Sequence, residues 1–147
     1  MRLRKLRRLS KISLNESLFL AQLVPFTLAA RVAVKWVALP RLVGFMARCA
    51  GNRWLGRFPL NHGCYEVAQL TRLADIAARV THGQGRCLGR SLLLFWLLKA
   101  RGEPAELLIG ISKEVASLHG HAWIQLRRRV IGDHPQIIRR FAILFRF

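Results

Sequence analysis

The run from Leu88 to Leu98 is apolar almost without interruption and is long enough for a helix that is covered on every side, so the fold must be built around it. It opens at Cys87, directly after the glycine-containing loop Gly83-Gln84-Gly85-Arg86. A thiol in the first turn of a helix meets amide N–H groups that have no partner inside the helix, together with the positive end of the helix dipole; both favour thiolate over thiol. Arg86 and Arg90 on either side push in the same direction. Cys87 is therefore the candidate nucleophile, and the chain downstream offers a base in His121 and a carboxylate in Asp133. Cysteine, histidine and aspartate in that order suggest acyl-transfer chemistry.

At 147 residues and 52% hydrophobic content the chain can bury one sizeable core. Cys49, Cys64 and Cys87 are an odd, widely spaced set with no CxxC pair, which argues against a disulfide framework, a zinc ribbon or a thioredoxin-type site and for a reducing compartment. A net charge of +18 draws nucleic acid, anionic lipid or an acidic peptide. Six basic residues fall between Arg2 and Lys11, and the rest of the excess is spread over the body. The basic start and the uncharged stretch 17–30 imitate a signal peptide, but Pro25 interrupts the apolar stretch, and it is shorter than a bilayer span of about 20 residues. Amphipathic helices that pack on the domain or lie on a membrane surface are the expectation.

The chain divides into residues 1–58, a basic tail and two helical segments split at Pro40, and residues 59–147, the core. Apolar positions from Cys64 to Val80 recur at helical spacing for about four turns up to Thr81-His82-Gly83. The Cys87 helix follows to about Arg101, with Gly102 placed as its C-cap. Residues 106–111 and 119–127 read as strands, Val130-Ile131 as the return arm of a hairpin, and 141–147 as a terminal strand or a short helix. Helices followed by antiparallel strands give an α+β layout.

On the second strand His119, His121, Trp123 and Gln125 share one face, and Gly120, Ala122, Ile124 and Leu126 the other. Gln84 is either an oxyanion donor beside the Cys87 N–H or a polar loop residue. Trp123 either walls the cleft and fixes the His121 ring or is a core tryptophan. His119 lies close enough to compete for the base role. His119 and His121 with Cys87 or His82 also make a zinc set, a reading that ranks well below catalysis; no metal or cofactor is expected. Arg127-Arg128-Arg129 and Arg139-Arg140 lack the aromatic interleaving of RNA-binding motifs, and no specific nucleic-acid partner is expected.

Taken together, Arg86-Cys87-Leu88-Gly89-Arg90-Ser91-Leu92, the run from Leu97 to Gly110, His121-Ala122-Trp123 and Asp133 resemble the transglutaminase-like cysteine peptidases that remove leader peptides in lasso peptide biosynthesis, in their stand-alone form. The resemblance covers Cys64 to Phe147. It implies a papain-like or transglutaminase-like core, a nucleophile helix packed on a small antiparallel sheet, with Cys87 as nucleophile, His121 as base and Asp133 as its orienter. It also implies cleavage of a ribosomal precursor peptide between leader and core in the cytoplasm, ahead of an ATP-dependent macrolactam cyclase. Residues 1–58 do not read as the strand-rich leader-recognition module of this group, so a separate leader-recognition protein is implied. The rival readings are acyl transfer to an amine within the same fold, and a non-enzymatic basic adaptor for membrane or nucleic acid.

Overall fold

The structure, a computed structural model, describes residues 13–60, 62–81, 86–112 and 119–147. Its first helix, α1 (Leu14–Trp36), starts at a capping box: the Ser13 hydroxyl accepts the Glu16 N–H, and the Glu16 carboxylate accepts the Ser13 N–H. The helix runs through Pro25 unbroken. Proline withdraws a donor, and nearby the Thr27 hydroxyl donates to the Leu23 and Val24 carbonyls, as threonine does inside helices. At 23 residues α1 is long and apolar enough to cross a membrane by length and composition. Helix α2 (Leu39–Ala50) follows after a break at Val37-Ala38, with Pro40 in its first turn, where its fixed φ suits a helix start. Two short 3₁₀ turns, Leu55–Arg57 and His62–Cys64, lead to α3 (Val67–Thr81).

Helix α4 (Arg86–Ala100) carries the run that dominates the sequence. Every residue from Ser91 to Leu98 is buried, which requires neighbours on all sides. Those neighbours are α1, α2, α3 and two strands. Its end is fixed by Gly102, whose φ of +73° lets the Gly102 N–H reach the Lys99 carbonyl and the Glu103 N–H the Leu98 carbonyl. The chain then forms β1 (Ala105–Ser112), β2 (Gly120–Leu126), β3 (Arg129–Ile131), a four-residue helix α5 (Pro135–Ile138) and β4 (Phe141–Arg146). The sheet is antiparallel with order β3-β2-β1-β4, so the terminal segment is a strand, paired with β1. The fold is helices with a small four-stranded antiparallel sheet, as the sequence suggests.

One hydrophobic core joins Phe19 and Leu23 of α1, Leu42, Val43 and Met46 of α2, Leu70 and Leu73 of α3, the α4 run, and Leu107 and Ile124 of the sheet. Helices on both sides of residue 58 therefore pack into one interior. The opposite side of the sheet is covered locally: Leu108 and Trp123 are fully buried there and paired across β1 and β2. Gly110 is required at this point, because a Cβ would sit 2.6 Å from the Ala142 carbonyl oxygen and 3.1 Å from the Trp123 ring.

Candidate active site

Cys87 is the second residue of α4, so its N–H is one of the helix's unpartnered amides. Residues three and four further on share its face of the helix, and these are Arg90 and Ser91. Ser91 is buried and donates its hydroxyl to the Ala122 carbonyl at 2.9 Å. Strand β3 pairs with β2 only from Ile124 to Leu126, which leaves the edge of β2 at Ala122 open toward α4. The N–H and C=O of one strand residue point to the same edge. Ser91 thus takes the carbonyl of Ala122, and the Ala122 N–H meets the Cys87 sulfur.

This clasp sets His121, the residue before Ala122, against the nucleophile. A hydrogen bond with His121 is the main influence holding the Cys87 thiol below its ordinary value; burial opposes it, and the amides of Ala122 and Leu88 assist. His121 is shifted in the complementary direction, to about 9, chiefly by its hydrogen bonds with Asp133 and Cys87, against the cost of burial. Its Nε2 stands 3.5 Å from Oδ2 of Asp133. A lowered cysteine beside a raised histidine favours the thiolate–imidazolium form of the pair.

Asp133 lies in the turn after β3. Burial pushes its carboxyl up, but hydrogen bonds from His121 and Arg90, with the charges behind them, outweigh that and hold it below its ordinary value. The Arg90 guanidinium pairs with Oδ2 of Asp133 and also donates to the Gly132 carbonyl at 3.2 Å. Nothing in the sequence pairs Arg90 with Asp133, 43 residues away, although its place one turn after Cys87 puts it on the right face. Nor is either flanking arginine what acidifies the thiol, as the sequence suggested: Arg90 is engaged with Asp133, and the thiol owes its low value to His121 and two amides.

The sequence set is thus brought together at Cys87, His121 and Asp133. Trp123 is fully buried and does not line the cleft; its ring stacks near that of His121, with centroids 6.1 Å apart, and Phe141 packs on His121 at 5.1 Å. These two rings restrict how His121 can turn. His119 is exposed, just ahead of β2. Gln84 lies outside the described residues, as does His82. Among the described residues no group of three or more His, Cys, Asp or Glu side chains is placed to hold a metal.

Cys87, His121 and Asp133 open onto a cleft of about 480 Å³ whose other wall is α3. Arginines 72, 79, 86 and 90 line it with Asp75 and Asp133, so its surface is cationic. Arg72 pairs with Glu16, Arg79 with Asp75 at 2.5 Å, and Arg86 is exposed at the mouth. A cleft lined by arginines and carboxylates beside Cys87 is suited to a polar substrate such as a peptide more than to a small apolar molecule.

Comparison with curated proteins and with solved structures finds no match for the chain. The family profile described as the transglutaminase-like superfamily matches residues 25–146, which takes in the chain from Pro25 of α1 to the end of β4 and includes Cys87, His121 and Asp133. A superfamily of this kind works typically as cysteine peptidases or acyl transferases, and the helix-borne cysteine, strand-borne histidine and following aspartate suit either. By its sequence and its architecture, this chain belongs to the transglutaminase-like superfamily.

Proposed function

We propose that the protein is a cysteine peptidase that removes the leader from a ribosomally made lasso peptide precursor. The observation that carries the peptidase reading is the Cys87–His121 contact, with Asp133 3.5 Å behind the imidazole and an open groove in front of the thiol. The narrower assignment to leader removal rests on the sequence resemblance described above.

In this reading the Cys87 thiolate attacks the scissile carbonyl, and the oxyanion that forms is met by the Cys87 N–H, which has no partner inside its own helix. The His121 imidazolium gives its proton to the leaving amine as the C–N bond breaks. That leaves an acyl-enzyme and a neutral imidazole. A water molecule then loses a proton to His121 and attacks the thioester, and the acid product departs as Cys87 regains the thiolate. Asp133 keeps the imidazole oriented and stabilises its charged form throughout. Cytoplasmic location and a separate leader-binding protein belong to the same proposal, since the described helices of residues 13–58 do not form a strand-rich recognition module. The product would be the substrate of an ATP-using macrolactam cyclase.

The test is incubation of the purified chain with a precursor peptide and its leader-binding protein, followed by mass spectrometry. Cleavage at one bond with the mass of one added water, lost in Cys87→Ala, is the expected result. A product carrying an added amine would assign the chain to the transferases of the same superfamily. Unchanged cleavage by Cys87→Ala would remove Cys87 from the mechanism.

A further inference from the structure

Helix α1 is turned the wrong way round for a helix that faces water. Its buried side carries Glu16 and Thr27 among Phe19, Leu23 and Ala30, and Glu16 is engaged by Arg72 of α3. The side facing outward carries Leu14, Leu18, Pro25, Leu28, Val32 and Trp36, all exposed, with Trp36 at 85%. At 100° per residue these six fall within a wedge of about 80°, which holds no charged side chain and whose polar group is the Trp36 indole N–H; Ser17 and Lys35 border it on one side. The wedge runs the length of the helix, about 34 Å.

The apolar surface continues sideways. The Leu60 N–H donates to the Gln22 side chain at 2.8 Å, and the Phe58 carbonyl accepts from Trp96, whose ring packs on Phe26 of α1 at 5.2 Å. Gln22 and Phe26 lie on one flank of the wedge, so the exposed Phe58 and Leu60 extend it on that side. Trp54, 80% exposed, stands a few residues before them with Arg57 over its ring.

Charge identifies what covers this surface. Between Glu16 and Glu66 there is no acidic residue, and six basic ones occur: Arg31, Lys35, Arg41, Arg48, Arg53 and Arg57. Six more precede α1, between Arg2 and Lys11. A second copy of a chain with a net charge of +18 would be repelled. A long apolar face without charged groups, with two exposed tryptophans and basic residues around it, fits the headgroup zone of an anionic bilayer. We infer that α1 and the Trp54–Leu60 segment form a docking face on which the protein lies in the plane of an anionic membrane. The helix lies along the surface and does not cross it, because its other side is held in the core by Phe19, Leu23 and the Glu16–Arg72 pair.

The inference is independent of the catalytic reading and is tested with the full chain and lipid alone. Flotation with vesicles of phosphatidylcholine, and of phosphatidylcholine with about one third phosphatidylglycerol, reads the binding. Binding to the anionic vesicles with little to the neutral ones is expected. The Leu28→Ser/Val32→Ser double variant, checked for native circular dichroism, should bind about tenfold more weakly, since it removes apolar insertion and leaves every charge in place. In the unaltered protein, a lipid-borne quencher should dim Trp36 and Trp54 but spare the buried Trp96 and Trp123, a readout that needs no folded variant. Failure to float with anionic vesicles would overturn the inference. So would binding that the double variant leaves unchanged with no tryptophan quenching, since the basic residues alone would then account for it. Loss of a stable protein complex in the double variant, with no lipid binding by the parent, would assign the face to a protein partner instead.

Discussion

Arg90 and Asp133 are joined by an ion pair that spans 43 residues of sequence and ties the helix bearing the nucleophile to the turn bearing the carboxylate. The same oxygen of Asp133 faces Nε2 of His121. Both partners are largely buried, with 12% of each side chain exposed. Arg90 therefore governs where Asp133 sits, and through it where the imidazole points, without touching the reacting atoms.

Replacing Arg90 by Met should lower kcat/KM by up to about 10²-fold through misplacement of the carboxylate and the imidazole. It should also destabilise the fold, by about 1–3 kcal/mol, because a mostly buried carboxylate loses its guanidinium partner and keeps only the His121 imidazolium. Arg90→Lys should restore little, since one ammonium cannot hold both Asp133 and the Gly132 carbonyl in the geometry of the guanidinium. Steady-state kinetics and urea unfolding check both parts; a full rescue by Lys would show that charge alone is needed.

The pH profile of kcat/KM should be a bell. Its acid limb reports the lowered Cys87 thiol and its alkaline limb His121, near pH 9. Asp133→Asn removes the charge that helps to hold up His121, so the alkaline limb should move down toward about 6.5, the ordinary histidine value. An alkaline limb that stays at 9 in this variant would mean that Asp133 does not set the imidazole.

Stability should follow the same groups. His121 holds its proton more tightly folded than unfolded, so its contribution is complete below about pH 6.5 and is lost as pH rises to about 9. Asp133 has the opposite sign: its contribution is present above its ordinary value near 3.8 and is lost as pH falls through its lower folded value. Thermal melts of the unaltered protein against His121→Ala should converge toward high pH, and against Asp133→Asn toward low pH.

Gly110→Ala should destabilise by about 1–3 kcal/mol, because the new methyl meets the Ala142 carbonyl and the Trp123 ring and must push apart either β4 or the tryptophan. Since Trp123 and Phe141 back the His121 ring, the loss of activity should exceed what the unfolded fraction explains. Activity measured per folded molecule separates the two.

The parts of this structure that depend on neighbours in sequence are the parts legible in it. The apolar run that starts at Cys87, the helical spacing up to Thr81, the Gly102 cap and the alternation around His121 each reflect local geometry, and α3, α4, β1 and β2 fall within a few residues of where these signals put them, α3 starting latest because 62–64 is a 3₁₀ turn. The cysteine, histidine and aspartate were legible because only a few such residues follow the loop. The pairings were not. That Arg90 would hold Asp133 and not acidify Cys87, or that the two peptide groups of Ala122 would be divided between Ser91 and Cys87, depends on where an open strand edge meets one helix turn. Trp123 was ambiguous for a similar reason: whether its face of the sheet is open or covered is decided by β4 and Phe141, which come later in the chain. Pro25 is tolerated inside α1 because the hydrogen bond it costs is outweighed by the packing of Phe19, Leu23 and Ala30, and the helices divide next to Pro40, as the sequence suggests.

The central claim is that Cys87 and His121 form a thiolate–imidazolium pair in the resting protein. The direct measurement is the rate of iodoacetamide alkylation at Cys87 as a function of pH, mapped by mass spectrometry, with the exposed Cys64 as an internal reference and His121→Ala as a control. Rapid labelling of Cys87 with a midpoint well below the ordinary thiol value of about 8.5, shifted upward in His121→Ala, is the predicted result. A midpoint at the ordinary value that is indifferent to His121, with labelling no faster than at Cys64, would contradict it.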